Sequence, residues 1–360
     1  MAIKKKQQLV GVDIGSHSIK VVEIDHNKRG RFLKNFGIIG LPRHAIKEGD
    51  IHEAEAVAEA LKKLFRNLKI RNQNLAVALS GYPVITKRIT LPNADMSELE
   101  AKIHEQAEQF IPFDVNEVNL DFDILDAEEG LSEADAKDGR EKSVDIMLVA
   151  AKKDVIDVYV NLIVSAGFNP AILDIDVFAL QNAAELSLNP HGEGYAIVNM
   201  GAEELNINTV VNGSSLFSRD SSLGGAQITD LIMRHLDVGY EKAEQIKLGQ
   251  LQGGTWEKAL ETSISEVVAE WAREIKRALD FVDTTYPEVN IRKIFLCGGS
   301  CRVKGFPQHL EAETGLPIEE LNPFKHLIVN ENLFDQAYLD YMAPQAGVAA
   351  GLALRSIGDK

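Results

Sequence analysis

The chain has 360 residues, 45% hydrophobic and 26% charged, with a formal net charge of −16. That length is enough for two or more domains with substantial cores. The acidic balance argues against nucleic acid as a partner, since binding its backbone needs a basic stripe. No run reaches the roughly 18 apolar residues of a membrane-spanning helix. The cluster Lys4-Lys5-Lys6 precedes a short apolar run broken by Asp13, which is not a signal peptide, and reads as a solvated start. Cys297 and Cys301 have no ligand-spaced partners for zinc and read as reduced thiols of a cytosolic protein.

The stretch Leu9–Lys20 (L-V-G-V-D-I-G-S-H-S-I-K) reads as two strands around a small-residue turn, Gly15, Ser16, His17 and Ser18. Asp13 closes the first strand and Lys20 opens the second. A plain hairpin would need only the turn residues. An acid, a cradle of backbone amides and a lysine are also what a metal-bound polyphosphate requires. Arg31–Ile39 predicts a third antiparallel strand. Asp50 is placed to cap a helix running to about Leu68, with Ile51, Val57, Leu61, Leu64 and Phe65 at near-helical spacing. Asn74–Leu79 is a continuously apolar strand, as in a sheet buried on both faces.

Residues 82–168 differ in texture and predict an inserted α+β subdomain. Its elements are a strand at Val84–Leu91, a helix at Met96–Phe110, an alternating strand at Val118–Leu125, a strand at Val144–Ala150 and a helix at Lys152–Ala166. The acidic stretch Ala127–Lys142 reads as an exposed hairpin tip or mobile loop. After a strand at Ala171–Ile175 and a helix at Val177–Leu186, the opening unit returns. Tyr195–Met200 is an apolar strand, and Leu205–Asn212 and Ser214–Arg219 pair across Asn212-Gly213. Helices follow at Gln227–Leu236, Tyr240–Gly249 and Trp256–Thr284, the last with Trp271 in its apolar stripe as packing. Lys293–Cys297 is a buried strand, Val303–Glu313 a helix and Pro317–Leu321 an edge strand. Ala343–Leu354 predicts a helix of small residues whose Gly347 and Gly351 allow close packing.

Four pieces line up: Asp13–Lys20; the turn Asn199-Met200-Gly201 at the equivalent point of the second unit; Gly298-Gly299-Ser300 after a buried strand; and Glu244 with Lys247 on one helical face. With these four in this order the chain resembles the actin-like ATPase superfamily over nearly its whole length. Within that superfamily the insert resembles that of FtsA. The stretches Gly11–Ser16, Gln109–Phe113, Asp176–Gln181, Phe217–Asp220 and Gly224-Gly225 resemble the PilM family of type IV pilus assembly proteins. FtsA carries a C-terminal amphipathic membrane helix, whereas Arg355–Lys360 is too short and mixed for one.

The resemblance implies an α/β actin-like fold of two duplicated ribonuclease-H-like halves with nucleotide between them. It implies a first core subdomain at residues 1–81, 169–192 and 343–360, an FtsA-type insert at 82–168, a second core subdomain at 193–225 and 288–342, and a helical subdomain at 226–287. Asp13, Gly15, Ser16, His17, Ser18 and Lys20 correspond to the first phosphate motif, Asn199 and Gly201 to the second, and Gly298, Gly299 and Ser300 to the adenosine motif, with Gly225 a further implied nucleotide-binding residue. Glu244 and Lys247 correspond to the ribose-contacting pair. ATP and Mg²⁺ are the implied cofactors, with Asp13 holding the metal through water. The implied protein is a cytoplasmic scaffold at the inner face of the inner membrane. It would bind the N-terminal cytoplasmic tail of a PilN-like membrane protein, in a groove between the first core subdomain and the insert. It would thereby link that partner to the pilus assembly and retraction ATPases and be peripheral to the membrane through it.

Active superfamily members carry Asp where this chain has Asn199, and an amide supplies no carboxylate, so hydrolysis is expected to be slow or absent. The competing reading is a small-molecule kinase of the same superfamily. Such an enzyme needs a general base facing the cleft. Asp176 is the one candidate, as a water-orienting carboxylate or a helix cap, and its position favours the cap.

Overall fold

The computed structural model describes residues 8–47, 49–92, 94–127, 143–187, 194–251, 254 and 257–359. Lys4-Lys5-Lys6 and most of the acidic stretch after Ala127 lie outside these.

Two five-stranded sheets dominate. The first is built from β1 (Val10–Ile14), β2 (Ser18–Asn27), β3 (Gly30–Gly40), β6 (Asn74–Leu79) and β10 (Asn169–Ile175), in the order β10-β6-β1-β2-β3. The second, in the order β15-β14-β11-β12-β13, uses β11 (Gly194–Met200), β12 (Leu205–Val211), β13 (Ser214–Ser221), β14 (Ile291–Cys297) and β15 (Ile318–Glu320). In each sheet an antiparallel three-stranded meander is extended by two parallel strands from its first strand. The duplication is therefore present in strand order as well as in sequence pattern.

Helices α1 (Ala54–Leu68) and α3 (Lys153–Ser165) cover the outer face of the first sheet. Val57, Leu61, Leu64 and Phe65 pack there with Tyr159, Leu162 and Ile163. Helices α5 (Gly225–Leu236), α7 (Glu257–Thr285) and α8 (Phe306–Thr314) cover the second. Between the sheets lie α4 (Asp176–Ser187) and α10 (Gly347–Leu352), whose Ala179, Leu180, Val348 and Leu352 pack with Tyr195, Ile197 and Phe295. Small residues set these spacings. A Cβ on Gly351 would lie 1.7 Å from the Ala179 carbonyl oxygen, and one on Gly11 would lie 2.0 Å from that of Ala349.

The insert is a three-stranded antiparallel sheet, β7 (Val84–Pro92), β9 (Ser143–Lys152) and β8 (Val118–Ala127) in the order β7-β9-β8, with α2 (Met96–Phe110) on one face. Leu99, Ile103 and Ala107 of α2 pack on Ile89, Ile146 and Leu148.

Four details depart from the sequence expectations. Asp50 does not cap α1. It pairs with Lys47 in a two-stranded ribbon, β4 (Ile46–Lys47) with β5 (Asp50–Ile51), and the helix starts after Glu53 without a side-chain cap. The helix assigned to the insert, α3, buries its apolar face in the first half's core. The chain returns to the first half before residue 343. Phe324, Leu327 and the Leu339 and Met342 of an unforeseen helix, α9 (Gln336–Met342), pack on Val22, Ile24, Leu33 and Phe36. The expected Ala343–Leu354 helix is a 3-10 turn, Ala343–Ala346, followed by α10. Pro344 has no N–H to continue a ladder. Trp271 is packing, as its spacing predicts: it is fully buried, edge-on to Phe306, with Nε1–H donating to Gln227 Oε1 at 2.7 Å.

Candidate functional site

A cavity of about 480 Å³ opens between the two halves, within the range of small-molecule sites. Asp13, Gly15, Ser16, His17, Ser18, Lys20, Asn199, Gly201, Glu244, Lys247, Gly298, Gly299 and Ser300 line it, and Asp176 stands at its floor. Gly225 lies just behind, where a Cβ would fall 2.2 Å from Ser300 Oγ and 3.5 Å from Lys247 Nζ. The site residues foreseen in four separate stretches thus surround one space.

The hairpin register explains the first cluster. Asp13 and Lys20 are directly opposed on β1 and β2, so their side chains share one face. Lys20 Nζ meets Asp13 Oδ2 at 3.1 Å, with both side chains less than a fifth exposed. Gly15 leaves room for the ammonium, since a Cβ there would be 3.2 Å from Nζ. The Gly15 amide, however, donates to the Ser18 carbonyl at 3.2 Å. It closes the turn rather than offering itself to a ligand, so the cradle cannot include it.

On the opposite wall, the loops are fixed to one another by backbone hydrogen bonds. Gly225 N–H donates to Gly201 O at 3.1 Å, Ser300 N–H to Met200 O at 2.9 Å, and Ser300 Oγ–H to Gly201 O at 2.8 Å. Gly298 has φ +89, and a Cβ would lie 2.3 Å from Met200 O, so only glycine lets these two loops touch. Asn199 donates to Asn206 Oδ1 at 3.0 Å, and Asn206 donates to Asp220 Oδ1 at 2.9 Å. Its amide is therefore the start of a polar chain, a partner arrangement that a carboxylate at position 199 could not make with an Asn206 acceptor oxygen.

Glu244 and Lys247 sit on α6 (Tyr240–Lys247), paired at 2.6 Å and little exposed. Thr229 donates to Glu244, and Lys247 Nζ donates to Thr229 Oγ1 at 2.9 Å. An (i, i+3) pair on a solvated face would have no such third partner. At the mouth, His17 Nδ1 and Tyr240 OH stand 3.1 Å apart, one from each half. Withdrawal from water in the cleft lowers the His17 pKa, with Lys247 and Lys20 adding and Glu244 opposing. Burial pushes Tyr240 up to about 12. Arg43 of the first half stacks over the Tyr240 ring at 5.1 Å and pairs with Asp230 at 2.5 Å.

Asp176 is the first residue of α4 and buried. Burial raises its pKa well above its ordinary value, Asp220 and Glu204 add to this, and the Val177 amide opposes it. The carboxyl thus lies at the start of α4, engaged with the Val177 amide. Two acids that sequence reasoning missed complete this region. Glu204, on the turn between β11 and β12, accepts from Ser80 Oγ at 2.9 Å, and burial raises its pKa. Burial likewise raises Asp220, which Asn206 and the Gly81 amide oppose. Among the described residues no three or more His, Cys, Asp or Glu side chains are grouped to hold a metal ion.

A second cavity, about 670 Å³, lies between the first half, the insert and β13. Tyr82, three-quarters exposed, meets Phe113 edge-on with ring centroids 5.6 Å apart, and Lys152 Nζ lies 4.8 Å from the Phe113 centroid. Arg219, on β13, contributes to the far wall.

The family profile described as "Type IV pilus assembly protein PilM" matches residues 11–357. The chain belongs to the PilM family. A solved PilM-PilN type IV pilus biogenesis complex superposes with a TM-score of 0.84 at 26% identity, covering 99% of this chain and 100% of that one. Cell division protein FtsA of Bacillus subtilis is 23% identical over 273 residues, 72% of this chain and 61% of that protein. The match therefore spans less than two thirds of FtsA. More distant structures share the actin-like ATPase fold. EutJ of Carboxydothermus hydrogenoformans has a TM-score of 0.56 at 14% identity, over 98% of this chain and 91% of that one. An MreB protein of Spiroplasma citri, bound to AMPPNP, has 0.52 at 11% identity, over 97% and 95%. This PilM-family chain is thus an actin-like fold with an α+β insert, and no helix among its described residues is long and apolar enough to cross a membrane.

Proposed function

We propose that this PilM-family protein is an ATP-binding scaffold of the type IV pilus machinery, working at the cytoplasmic face of the inner membrane. The observation that carries the reading is the convergence of Asp13, Lys20, Glu244, Lys247 and Gly298–Ser300 on one cavity between the halves. Lys20 is the cation for the phosphates. Charge-assisted hydrogen bonds of this kind contribute about 1.5–3 kcal/mol each. Asp13 would hold Mg²⁺ through water, since Mg²⁺ keeps much of its hydration shell and takes few protein ligands. Glu244 and Lys247 face the ribose, and the Gly298-Gly299 turn leaves a flat surface for the base. Asn199 supplies no carboxylate, so nucleotide is held more than it is hydrolysed.

The second cavity is the groove for the partner, the cytoplasmic tail of a PilN-type membrane protein. The exposed Tyr82 ring and the Lys152 ammonium, 5.5 Å from its centroid, provide apolar and cationic anchors there. Through this partner the protein stays at the membrane and connects it to the assembly and retraction ATPases.

Calorimetry with Mg·ATP tests the nucleotide site. Wild type should bind saturably. Lys20→Ala should bind at least tenfold more weakly, one lost charge-assisted bond being about 1.4 kcal/mol or more. Equal affinity in both proteins would refute the phosphate-loop assignment. A synthetic peptide of the PilN-type tail, titrated into the wild type and a Tyr82→Ala variant, tests the groove. Undiminished binding to the variant would place the peptide elsewhere.

A further inference from the structure

The two cavities share a wall. Ser80, Asp176 and Glu204 line both. Glu204 belongs to the second half, on the turn that carries Gly201, Ala202 and Glu203 along the wall of the first cavity. Its own backbone closes that turn, because Gly201 N–H donates to Glu204 O at 2.8 Å. Its side chain crosses to the first half. There the carboxylate accepts from Ser80 Oγ at 2.9 Å. It enters a space left by two glycines with positive φ: a Cβ on Gly81 (φ +77) would fall 2.5 Å from Glu204 Oε1, and one on Gly49 (φ +85) 3.9 Å from it.

Ser80 and Gly81 are also the last residues before the chain enters the insert at Tyr82 and β7. On the groove's far side β7 rests on the second half through Thr86 Oγ1 and Ser218 Oγ, 2.5 Å apart. A shift of the Gly201–Glu204 turn is therefore a shift of a side chain held at the root of the insert. The Ser80 hydroxyl ties the carboxylate to this root, and Gly81 leaves the room it occupies.

We propose that Glu204 is the positioning residue through which the nucleotide cavity sets the geometry of the partner groove, by docking its carboxylate on Ser80 and against Gly81. This rests on the reading of the first cavity as a nucleotide site. A contact with the phosphates at the Asn199–Gly201 end of the turn is transmitted to Glu204 at its other end. The insert strand that begins three residues beyond Gly81, at Val84, then moves with the second half.

Hydrogen–deuterium exchange of the full chain with and without Mg·AMPPNP tests this. In wild type the probe should slow exchange at the phosphate loop (residues 13–20) and, about tenfold as for couplings of ordinary size, at residues 81–86. In Glu204→Ala and in the milder Ser80→Ala, protection at 13–20 should remain while that at 81–86 is lost. Protection at 81–86 that persists in both variants would overturn the proposal. So would wild-type protection confined to 13–20, or variants that lose protection at both segments, since Glu204 would then serve the nucleotide cavity itself. Absence of protection at 13–20 in wild type is a different failure, that of the nucleotide reading.

Discussion

Gly351→Ala sets two known effects against each other. Residue 351 lies within α10, and intrinsic helix propensity favours Ala over Gly by about 1 kcal/mol. The packing opposes this. A Cβ there would sit 1.7 Å from the oxygen and 2.5 Å from the carbon of the Ala179 carbonyl in α4. Ordinary carbon–oxygen contact is about 3.3 Å, so the helices must separate by more than an ångström, and a backbone carbonyl cannot rotate aside as a side chain would. Separation also thins the contacts of Val348 and Leu352 with Leu180 and Phe295 in the core between the sheets. Overpacking of this kind costs about 1–3 kcal/mol and occasionally more. With the upper part of that range applying to a backbone clash, a net loss of about 2 kcal/mol is expected after the propensity gain. Gly40→Ala is the matched control. Nothing lies within 4 Å of its Cβ and its φ is not positive, so a gain of about 0.4–1 kcal/mol is expected from the unfolded state alone. Urea unfolding followed by circular dichroism separates the two. If Gly351→Ala unfolds at the wild-type midpoint or above it, α10 and α4 do not approach as described.

Other expectations follow from buried polar groups. Asp176→Asn should stabilise the protein near neutral pH, because burial holds the wild-type carboxyl above its ordinary pKa. An acid whose pKa is raised in the fold begins to penalise folding as pH rises past its unfolded value, the penalty grows up to the folded value, and it disappears as pH falls back to the unfolded value. The advantage of the variant should therefore shrink on acidification through that window, and a pH-independent difference would contradict the assignment. Trp271→Phe should cost about 1 kcal/mol, since it removes the short bond to Gln227 Oε1 and leaves that oxygen only the long one from Gly224 N–H at 3.4 Å. An unchanged urea midpoint would show that the bond contributes nothing.

Much of this architecture was legible in the sequence because its signals are local. The β1–β2 hairpin, the apolar β6 and the Asn212-Gly213 turn all have short-range determinants, and the structure places them as their residues predict. The Asp13–Lys20 pairing follows from register alone. What the sequence hid was long-range. The periodicity of α3 shows which face is apolar but not which core receives it, and the first half takes it. Phe324, Leu339 and Met342 are an ordinary scatter of apolar residues until the fold returns them to β2 and β3. Glu204 was invisible for a related reason. It is one acid in a turn with another beside it, and its distinction is a partner 124 residues away. The one available signal was the glycine at position 81, ahead of the insert, and the turn it opens into β7 accounts for a glycine there without Glu204.

The close approach of α10 to β1 has a consequence for how the chain is made. A Cβ on Gly11 would touch the backbone of Ala349 and Ala353, so the first strand's face is completed by residues near the other end of the sequence. β10, one edge strand of the same sheet, arrives only after the whole insert has been synthesised. The amino-terminal half is thus the first to leave the ribosome and the last to close. Its sheet must wait with apolar residues uncovered while the second half, contiguous from β11 to β15, assembles from nearer neighbours. Non-local closures of this kind are slow and leave surface open to misassociation. Demand for chaperone protection during synthesis should accordingly concentrate on the amino-terminal sheet.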